Sequence, residues 1–260
     1  KAIVERLKGI YGISWFPEDG PEFPIRVAFM KDVALIGIDT SGVSLHKRGY
    51  RQMTVKAPIT ETLASALLML TPWKKDRILV DPFCGSGTFP IEAAMMAADM
   101  APGLNRHFLA ESWEHLIPKE CWEDAREEAR ERVNFDIDAA AIKAARANAK
   151  MAGVDRLIHF QQRPVSELRH SKPFGFIVTN PPYGERIEEK SNLPALYREI
   201  GESYKGLDRW SMYLITAYDK AENDIGRKAD KNRKIYNGMM KTYYYQFLGP
   251  RPPKKGSIKE

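Results

Sequence analysis

"DPFCGSGTFPIEAA", residues 81–94, follows the apolar run Ile78-Leu79-Val80 and leads into alanine-rich sequence. A glycine loop between a strand and a helix normally cradles a phosphate, but this one carries no lysine. Walker-type loops finish in Gly-Lys-Ser/Thr, whereas here Gly87 is followed by Thr88 and Phe89. The dinucleotide fingerprint needs a third glycine where this chain has Pro90. Both nucleotide readings fail, so the loop serves some other ligand.

The surrounding chain is that of a globular protein. Its 260 residues can bury a full core and suggest one to two domains, and 43% of them are apolar against 28% charged. No apolar stretch approaches ~18 residues, and the start does not resemble a signal peptide. Two cysteines, Cys84 and Cys121, supply neither a disulfide framework nor a metal site, which points to a reducing cytoplasm. The chain opens at Lys1, already inside amphipathic sequence, and is expected to be a fragment of a longer protein.

The net charge of +6 is unevenly placed. Between Gly226 and Lys241 stand six basic residues, Arg227, Lys228, Lys231, Arg233, Lys234 and Lys241, against the single acid Asp230. The tail adds Arg251, Lys254, Lys255 and Lys259, and "HKRGYR" (46–51) brings Lys47 and Arg48. Such clusters fit a polyanion partner; a solvated basic surface is the competing reading.

Periodicity organises the rest. "FPIRVAFM" and "VALIGIDTSG" read as two strands of a hairpin turning at Lys31-Asp32. "APITETLASALLML" (57–70) reads as a helix capped by Thr60, with Leu63, Leu67 and Leu70 at helical spacing. Strands and helices then alternate: "RILV", a helix from about Phe89, "VNFDI", the helix "AAAIKAARANAKMA" closed by Gly153, "LIHF", "FGFIVT", a helix from Leu193 to Tyr204, and "WSMYLITA". This order predicts a doubly wound α/β fold with a mostly parallel sheet, and "KTYYYQFLG" is its expected antiparallel C-terminal strand. One junction is irregular. The polar helix "CWEDAREEARER" meets "VNFDID" without turn residues, so either that strand is unusually short or residues are missing between Glu131 and Val133.

Ligands of doubly wound sheets sit beyond the carboxyl ends of the strands. There Gly85 and Gly87 allow a tight turn and close approach, and Asp81 can accept hydrogen bonds from an ammonium group or a ribose hydroxyl. A cofactor with an amino acid end and no pyrophosphate suits the loop, and S-adenosylmethionine is the natural candidate. Asp136 ends the next strand, where a carboxylate can take both ribose hydroxyls; Asp138 reads as a helix cap. Either acid alone could be an ordinary turn residue. Two at strand ends of one sheet, with a glycine loop between, weaken that alternative.

"FIVTNPPYGER" (176–186) carries the chemistry. Asn-Pro is a common turn start and a following tyrosine could be core, but this tetrapeptide ends a strand on the same sheet edge as the glycine loop. A base's exocyclic amine is a poor nucleophile because its lone pair is delocalised into the ring. Asn180 Oδ1 and the Pro181 carbonyl can each accept one of its N–H bonds, favouring the pyramidal amine that develops as nitrogen attacks a methyl group. Pro181 and Pro182 stiffen that geometry, and Tyr183 offers a ring on which an extruded base can stack. Cys84 has no histidine or second cysteine near it in sequence and is read as a packing residue lining the cofactor site. The five histidines show no metal-ligand spacing, so no metal is expected.

"DPFCGSGT" together with "NPPYGER" resembles the class I, Rossmann-like methyltransferases of exocyclic amines. "IDTSGVSLHKRGYR", "APITETLASALL", "APGLNRHF" and "GRKADKNRKIYNGMMKTYYYQFLGP" narrow this to a resemblance, over nearly the whole chain, to bacterial THUMP-containing ribosomal RNA guanine-N2 methyltransferases, often labelled N6-adenine-specific DNA methylases. The resemblance implies that residues 1–52 end a THUMP-bearing α+β RNA-binding region and that 53–260 form the methyltransferase domain. It places the cofactor loop on Asp81, Pro82, Cys84, Gly85, Gly87 and Thr88, the ribose acid on Asp136 with Ile137 beside it, and the catalytic tetrapeptide on Asn180 to Tyr183. Where the family usually holds the cofactor's adenine amine with an acid, this chain has Pro164, so a backbone group or another neighbour must serve. The expected activity is S-adenosylmethionine-dependent methylation of a guanine N2 in large-subunit ribosomal RNA, with Arg227, Lys228, Lys231, Arg233, Lys234, Lys47 and Arg48 on the RNA. Adenine-N6 methylation of DNA and an inactive RNA-binding module are the rivals. The sequence names neither the target nucleotide nor the oligomeric state.

Overall fold

The computed structural model describes residues 1–51, 59–132, 143–184 and 191–253. The chain divides into two compact units, Lys1–Ser44 with His107–Ala125 and Leu45–Arg106 with Arg126–Glu260.

In the smaller unit, helix α1 (Ala2–Tyr11) stops at Gly12, whose φ of 65° few other residues tolerate. Strands β1 (Ile25–Met30) and β2 (Val33–Ile38) form an antiparallel hairpin with Met30 opposite Val33. The two residues between them, Lys31 and Asp32, both have positive φ, as a tight two-residue turn requires, so the expected turn lies where the sequence put it. The Trp113 indole donates to the Glu22 carbonyl at 2.8 Å and stacks on Phe23, which ties 107–125 to this unit.

The larger unit is built on a five-stranded sheet in the order β3-β4-β5-β7-β6. Strands β3 (Leu79–Val80), β4 (Phe176–Thr179) and β5 (Ser211–Thr216) run parallel. Their uninterrupted apolar runs follow from burial on both faces: every residue of β4 and β5 is buried. Helices α2 (Glu61–Met69) and α3 (Thr88–Ala97) cover one face, packing Ala64, Leu67 and Phe89 against Phe176, Val178, Tyr213 and Ile215. After α4 (Lys119–Glu131) and α5 (Lys143–Ala152), helices α6 (Leu193–Lys205) and α7 (Ala221–Ile225) cover the other face, where Ile177, Met212 and Leu214 meet Leu193, Tyr197, Ile200 and Ile225. The alternation of odd and even strand residues between the two faces is the two-residue strand period at work.

Three expectations change. Beside the antiparallel strand β7 (Met240–Phe247), a second one appears: β6 (Lys231–Asn237), the basic segment itself, pairs with β7 and forms the sheet's outer edge. Its charges hid it, because lysine and arginine suppress an apolar pattern yet suit an edge strand that must not pair further. "LIHF" makes no ladder among the described residues; it is a 3-10 turn at Asp155–Leu157 followed by extended chain. Ile158 and Phe160 are nevertheless buried and His159 exposed, the alternation that the sequence shows. Thr60 takes the cap position of α2 with extended backbone, but its side chain makes no capping bond. The expected strand "VNFDI" and the irregular junction at Val133 lie outside the described residues.

Gly201 is set by the contact between α6 and α7. A Cβ there would lie 2.3 Å from the Ile225 carbonyl oxygen. Helix propensity alone makes Gly201→Ala stabilising by ~1 kcal/mol. The backbone clash reverses the sign, and a net loss of about 1–3 kcal/mol is expected, read as a lower urea midpoint. A midpoint at or above wild type would show that the two helices separate freely.

Candidate active site

Two polar residues stand immediately past the ends of adjacent parallel strands, Asp81 after β3 and Asn180 after β4, with Val80 registered against Ile177. The last residue of β4 joins them: Thr179 Oγ1 donates to Asp81 Oδ1 at 2.5 Å. The Phe83 backbone N–H donates to the same oxygen at 3.0 Å, closing the turn that starts the glycine loop. Burial pushes the Asp81 carboxyl up to about 7, against the pull of the Thr179 and Phe83 bonds.

The loop itself is gripped from several sides. Gly85 and Gly87 both have positive φ, 51° and 85°, and a Cβ on Gly87 would come within 3.1 Å of the Ala145 Cβ on α5. Asn148, also on α5, donates from Nδ2 to the Ser86 carbonyl at 3.0 Å. The Ser86 and Thr88 hydroxyls accept from Arg51 at 2.9 Å each. Arg51 in turn is paired through Nε with Glu61 of α2 at 2.6 Å. Cys84 is half-buried and its thiol is pushed up to about 11 by burial, with the Asp81 charge adding to it, so it is protonated at neutral pH.

At the tetrapeptide, Pro181 is buried and Tyr183 half-buried, while Pro182 is exposed. Asn180 Oδ1 is buried and has no hydrogen-bond partner among the described residues. An orphaned buried acceptor costs roughly 1–3 kcal/mol unless a donor arrives. Tyr197 of α6 donates to the Pro182 carbonyl at 3.2 Å and is bonded to Thr216 Oγ1, at the end of β5, at 2.5 Å. Tyr197, Thr216, Thr179 and Arg51 carry no motif; their roles come from residues tens of positions away and are visible only in the fold. Asp136 and Ile137 lie outside the described residues. Pro164 opens a 3-10 turn at Val165–Glu167, whose Val165 carbonyl is held by Ser203 Oγ at 2.7 Å.

The basic residues sort into two groups. Arg48 is not available to a partner: its side chain is 11% exposed and its guanidinium faces Glu92, itself 3% exposed, which also accepts from Tyr50 and Ser65. A buried carboxylate on α3 draws that guanidinium inward. Arg227 is likewise engaged, donating to the Tyr204 hydroxyl, Asp230 and the Leu248 carbonyl. Lys47, Lys228, Lys231, Arg233 and Lys234 are exposed. Among the described residues, no cluster of His, Cys, Asp or Glu is arranged for a metal ion, and no helix is long and apolar enough to cross a membrane.

The Asp81 carboxyl gives a pH test. Unfolded, it titrates near 3.8; folded, near 7, so between these values only the folded chain holds the proton. The stability it contributes is full below pH ~4 and is lost as pH rises through 7, a change of a few kcal/mol at ~1.4 kcal/mol per unit. Urea titration at pH 5 and pH 8 should therefore show a smaller decline in Asp81→Asn than in wild type. Parallel declines would mean the carboxyl titrates normally.

Comparison with known proteins shows the family. Residues 48–246 match the family UPF0020, described as RMKL-like, methyltransferase domain. "Putative RNA methyltransferase YpsC" of Bacillus subtilis is 46% identical over 267 residues, covering 98% of this chain and 69% of that protein. A solved structure named as a "predicted N6-adenine-specific DNA methylase" from Listeria monocytogenes is 43% identical, with a TM-score of 0.85 over 96% of this chain and 67% of that one. SMU.472, "a putative methyltransferase complexed with SAH", is 40% identical, with a TM-score of 0.85 over 97% of this chain and 69% of its own. A glycine loop and an Asn-Pro-Pro-Tyr turn thus stand on adjacent strand ends of a methyltransferase fold, and the chain belongs to the UPF0020 family of RMKL-like methyltransferase domains.

Proposed function

We propose that the chain methylates the exocyclic N2 amine of a guanine in RNA, with large-subunit ribosomal RNA as the substrate and S-adenosylmethionine as the methyl donor. The observation that carries this reading is Asn180 Oδ1, a buried acceptor with no partner among the described residues, one position past a strand end and beside the Asp81 loop. A relative complexed with SAH supports the choice of cofactor. Asp81 to Thr88 and Asp136 would hold that cofactor, which supplies a methyl group on a positively charged sulfur. Asp81 accepts from its ammonium group or a ribose hydroxyl, and a cationic neighbour lowers the acid's raised pKa.

The chain's own work is placement. Asn180 Oδ1 and the Pro181 carbonyl accept the amine's two N–H bonds and point its lone pair at the methyl group. As positive charge grows on nitrogen both acceptors bind it more tightly, so the stabilisation is greatest in the transition state. The Pro182 carbonyl is already engaged by Tyr197, which fixes the turn. Tyr183 stacks on the extruded base.

A DNA adenine-N6 activity uses the same acceptor pair, and one relative's name favours it. The RNA reading has the support of YpsC's name and of the exposed cations on β6, where Lys234 lies over the Tyr236 ring at 5.3 Å. In this reading residues 1–52 belong to an RNA-binding region and 53–260 to the catalytic domain.

Steady-state kinetics on an RNA substrate test the mechanism. Asn180→Ala should lower kcat by about 10²–10³ with little change in cofactor affinity. Tyr183→Ala should also raise KM, by the ~1–3 kcal/mol of a base stack, while Tyr183→Phe keeps most activity. Near-wild-type turnover in Asn180→Ala sinks the amine-positioning mechanism. For the RNA surface, neutralising Lys231, Arg233 and Lys234 together should weaken binding to many RNAs alike. The slope of log affinity against log salt should flatten by roughly 0.7–0.9 per lost phosphate contact. An unmoved slope would leave those charges as edge protection alone.

A further inference from the structure

The segment "HKRGYR" looks from its charges like a surface for polyanions, but its last residue does something else. The Arg51 side chain is 15% exposed and its donors go to four acceptors on two stretches of chain, 59–61 and 86–88. Nε meets Glu61 at the start of α2, Nη1 meets Ser86 Oγ, and Nη2 meets both Thr88 Oγ1 and the Ile59 carbonyl. Ser86 and Thr88 flank Gly87, the residue at which the glycine loop becomes α3, and both are buried.

We propose that Arg51 is a positioning residue for the cofactor loop: its guanidinium holds Ser86 and Thr88 so that the Asp81–Thr88 backbone is preformed for the ligand. This rests on the reading of that loop as the cofactor site. A loop with positive φ at both Gly85 and Gly87 has many alternative conformations, because glycine is the residue least confined by its own sterics. Ordering it on binding would cost affinity; ordering it beforehand removes that cost. The grip is two-sided, since Asn148 takes the Ser86 carbonyl while Arg51 takes the Ser86 hydroxyl. A planar fork fits four acceptors at fixed angles, which a lysine's single ammonium cannot do. Glu61, 4% exposed, keeps the guanidinium in place and supplies the charge that makes its burial tolerable. Gly49 serves the same arrangement: with φ at +94° and a would-be Cβ 2.3 Å from the Asn105 carbonyl, the segment is pinned two residues before Arg51.

The test compares wild type, Arg51→Ala, Arg51→Lys and Ser86→Ala by calorimetric titration with S-adenosylhomocysteine, with hydrogen exchange of the 83–88 amides in the free proteins. Arg51→Ala should lose about tenfold or more in affinity, and its loop amides should exchange faster while those of β4 and β5 do not. Arg51→Lys should fall between, and a few millimolar guanidinium should restore part of the affinity in Arg51→Ala and none in wild type. A merely structural arginine would lower the melting temperature without rescue and without a change confined to the loop. If Arg51→Ala does not fold, Ser86→Ala keeps the ion pair with Glu61 and removes one tether; it should lose severalfold in affinity. Affinity and loop exchange equal to wild type in a folded variant overturn the proposal. Wild type that binds no S-adenosylhomocysteine overturns the cofactor reading itself, and the positioning role with it.

Discussion

The hydrogen bond from Thr179 to Asp81 joins the ends of two parallel strands at the point where both turn into the loops of the candidate site. Everything at the site is referred to it. Asp81 begins the glycine loop and Asn180 begins the tetrapeptide, so one short bond fixes the separation of two segments nearly a hundred residues apart. The strands bring it about cheaply. β4 is buried along its whole length and registered on β3 on one side and β5 on the other, which leaves the Thr179 side chain little freedom. The bond also accounts for the chemistry of the acid. Burial alone would keep Asp81 protonated well above the usual carboxylate range; the hydroxyl and the Phe83 N–H pull it back towards 7, where a cationic ligand can complete its ionisation.

Charge counted along the sequence does not say which way a basic residue faces. "HKRGYR" and "GRKADKNRK" look alike as strings. In the first, Arg48 and Arg51 are turned inward onto Glu92 and Glu61, acids that sit on α3 and α2 at positions where the helix faces the core. In the second, Arg227 is engaged by Asp230 and Tyr204, but Lys231, Arg233 and Lys234 line an edge strand with no acid opposite them, since β7 presents Gln246, Tyr244 and Tyr243 there. Buried acids, not basic clusters, decide the matter. They are hard to see in sequence because a glutamate in an amphipathic helix reads as a solvent-facing residue by default.

That asymmetry explains what was legible beforehand. The glycine loop, the Asn-Pro-Pro-Tyr turn and the Lys31-Asp32 hairpin were readable because each depends on backbone geometry that few residue types can adopt, and such residues announce themselves locally. The parallel strands β4 and β5 were readable from unbroken apolar runs. Arg51, Tyr197, Thr179 and Thr216 were not, because each is an ordinary residue whose function is its partner. Arg51 and Ser86 are 35 positions apart, Thr179 and Asp81 are 98 apart, and no spacing rule links them. The strand β6 was missed for a third reason: its solvent-facing edge wants charge, so its residues deny the apolar alternation by which strands are found.

The glycine loop and the tetrapeptide are braced by different kinds of group. The glycine loop is tethered by a guanidinium, a strong and directional donor, with the Ser86 and Thr88 hydroxyls as acceptors and the Ser86 carbonyl held by Asn148. The Pro182 carbonyl of the tetrapeptide is held by a relay of neutral groups. The Tyr218 N–H donates to Thr216 Oγ1, that hydroxyl donates to Tyr197, and Tyr197 donates to the Pro182 carbonyl. Burial raises the Tyr197 phenol well above its ordinary value, so it stays a donor throughout the pH range of a folded protein. In the mechanism proposed above, a cation in its place would hold the turn as firmly but would work against the substrate amine. It would oppose the positive charge that the proposed reaction develops on that amine. A neutral relay fixes the turn without adding positive charge to it, as that proposal requires.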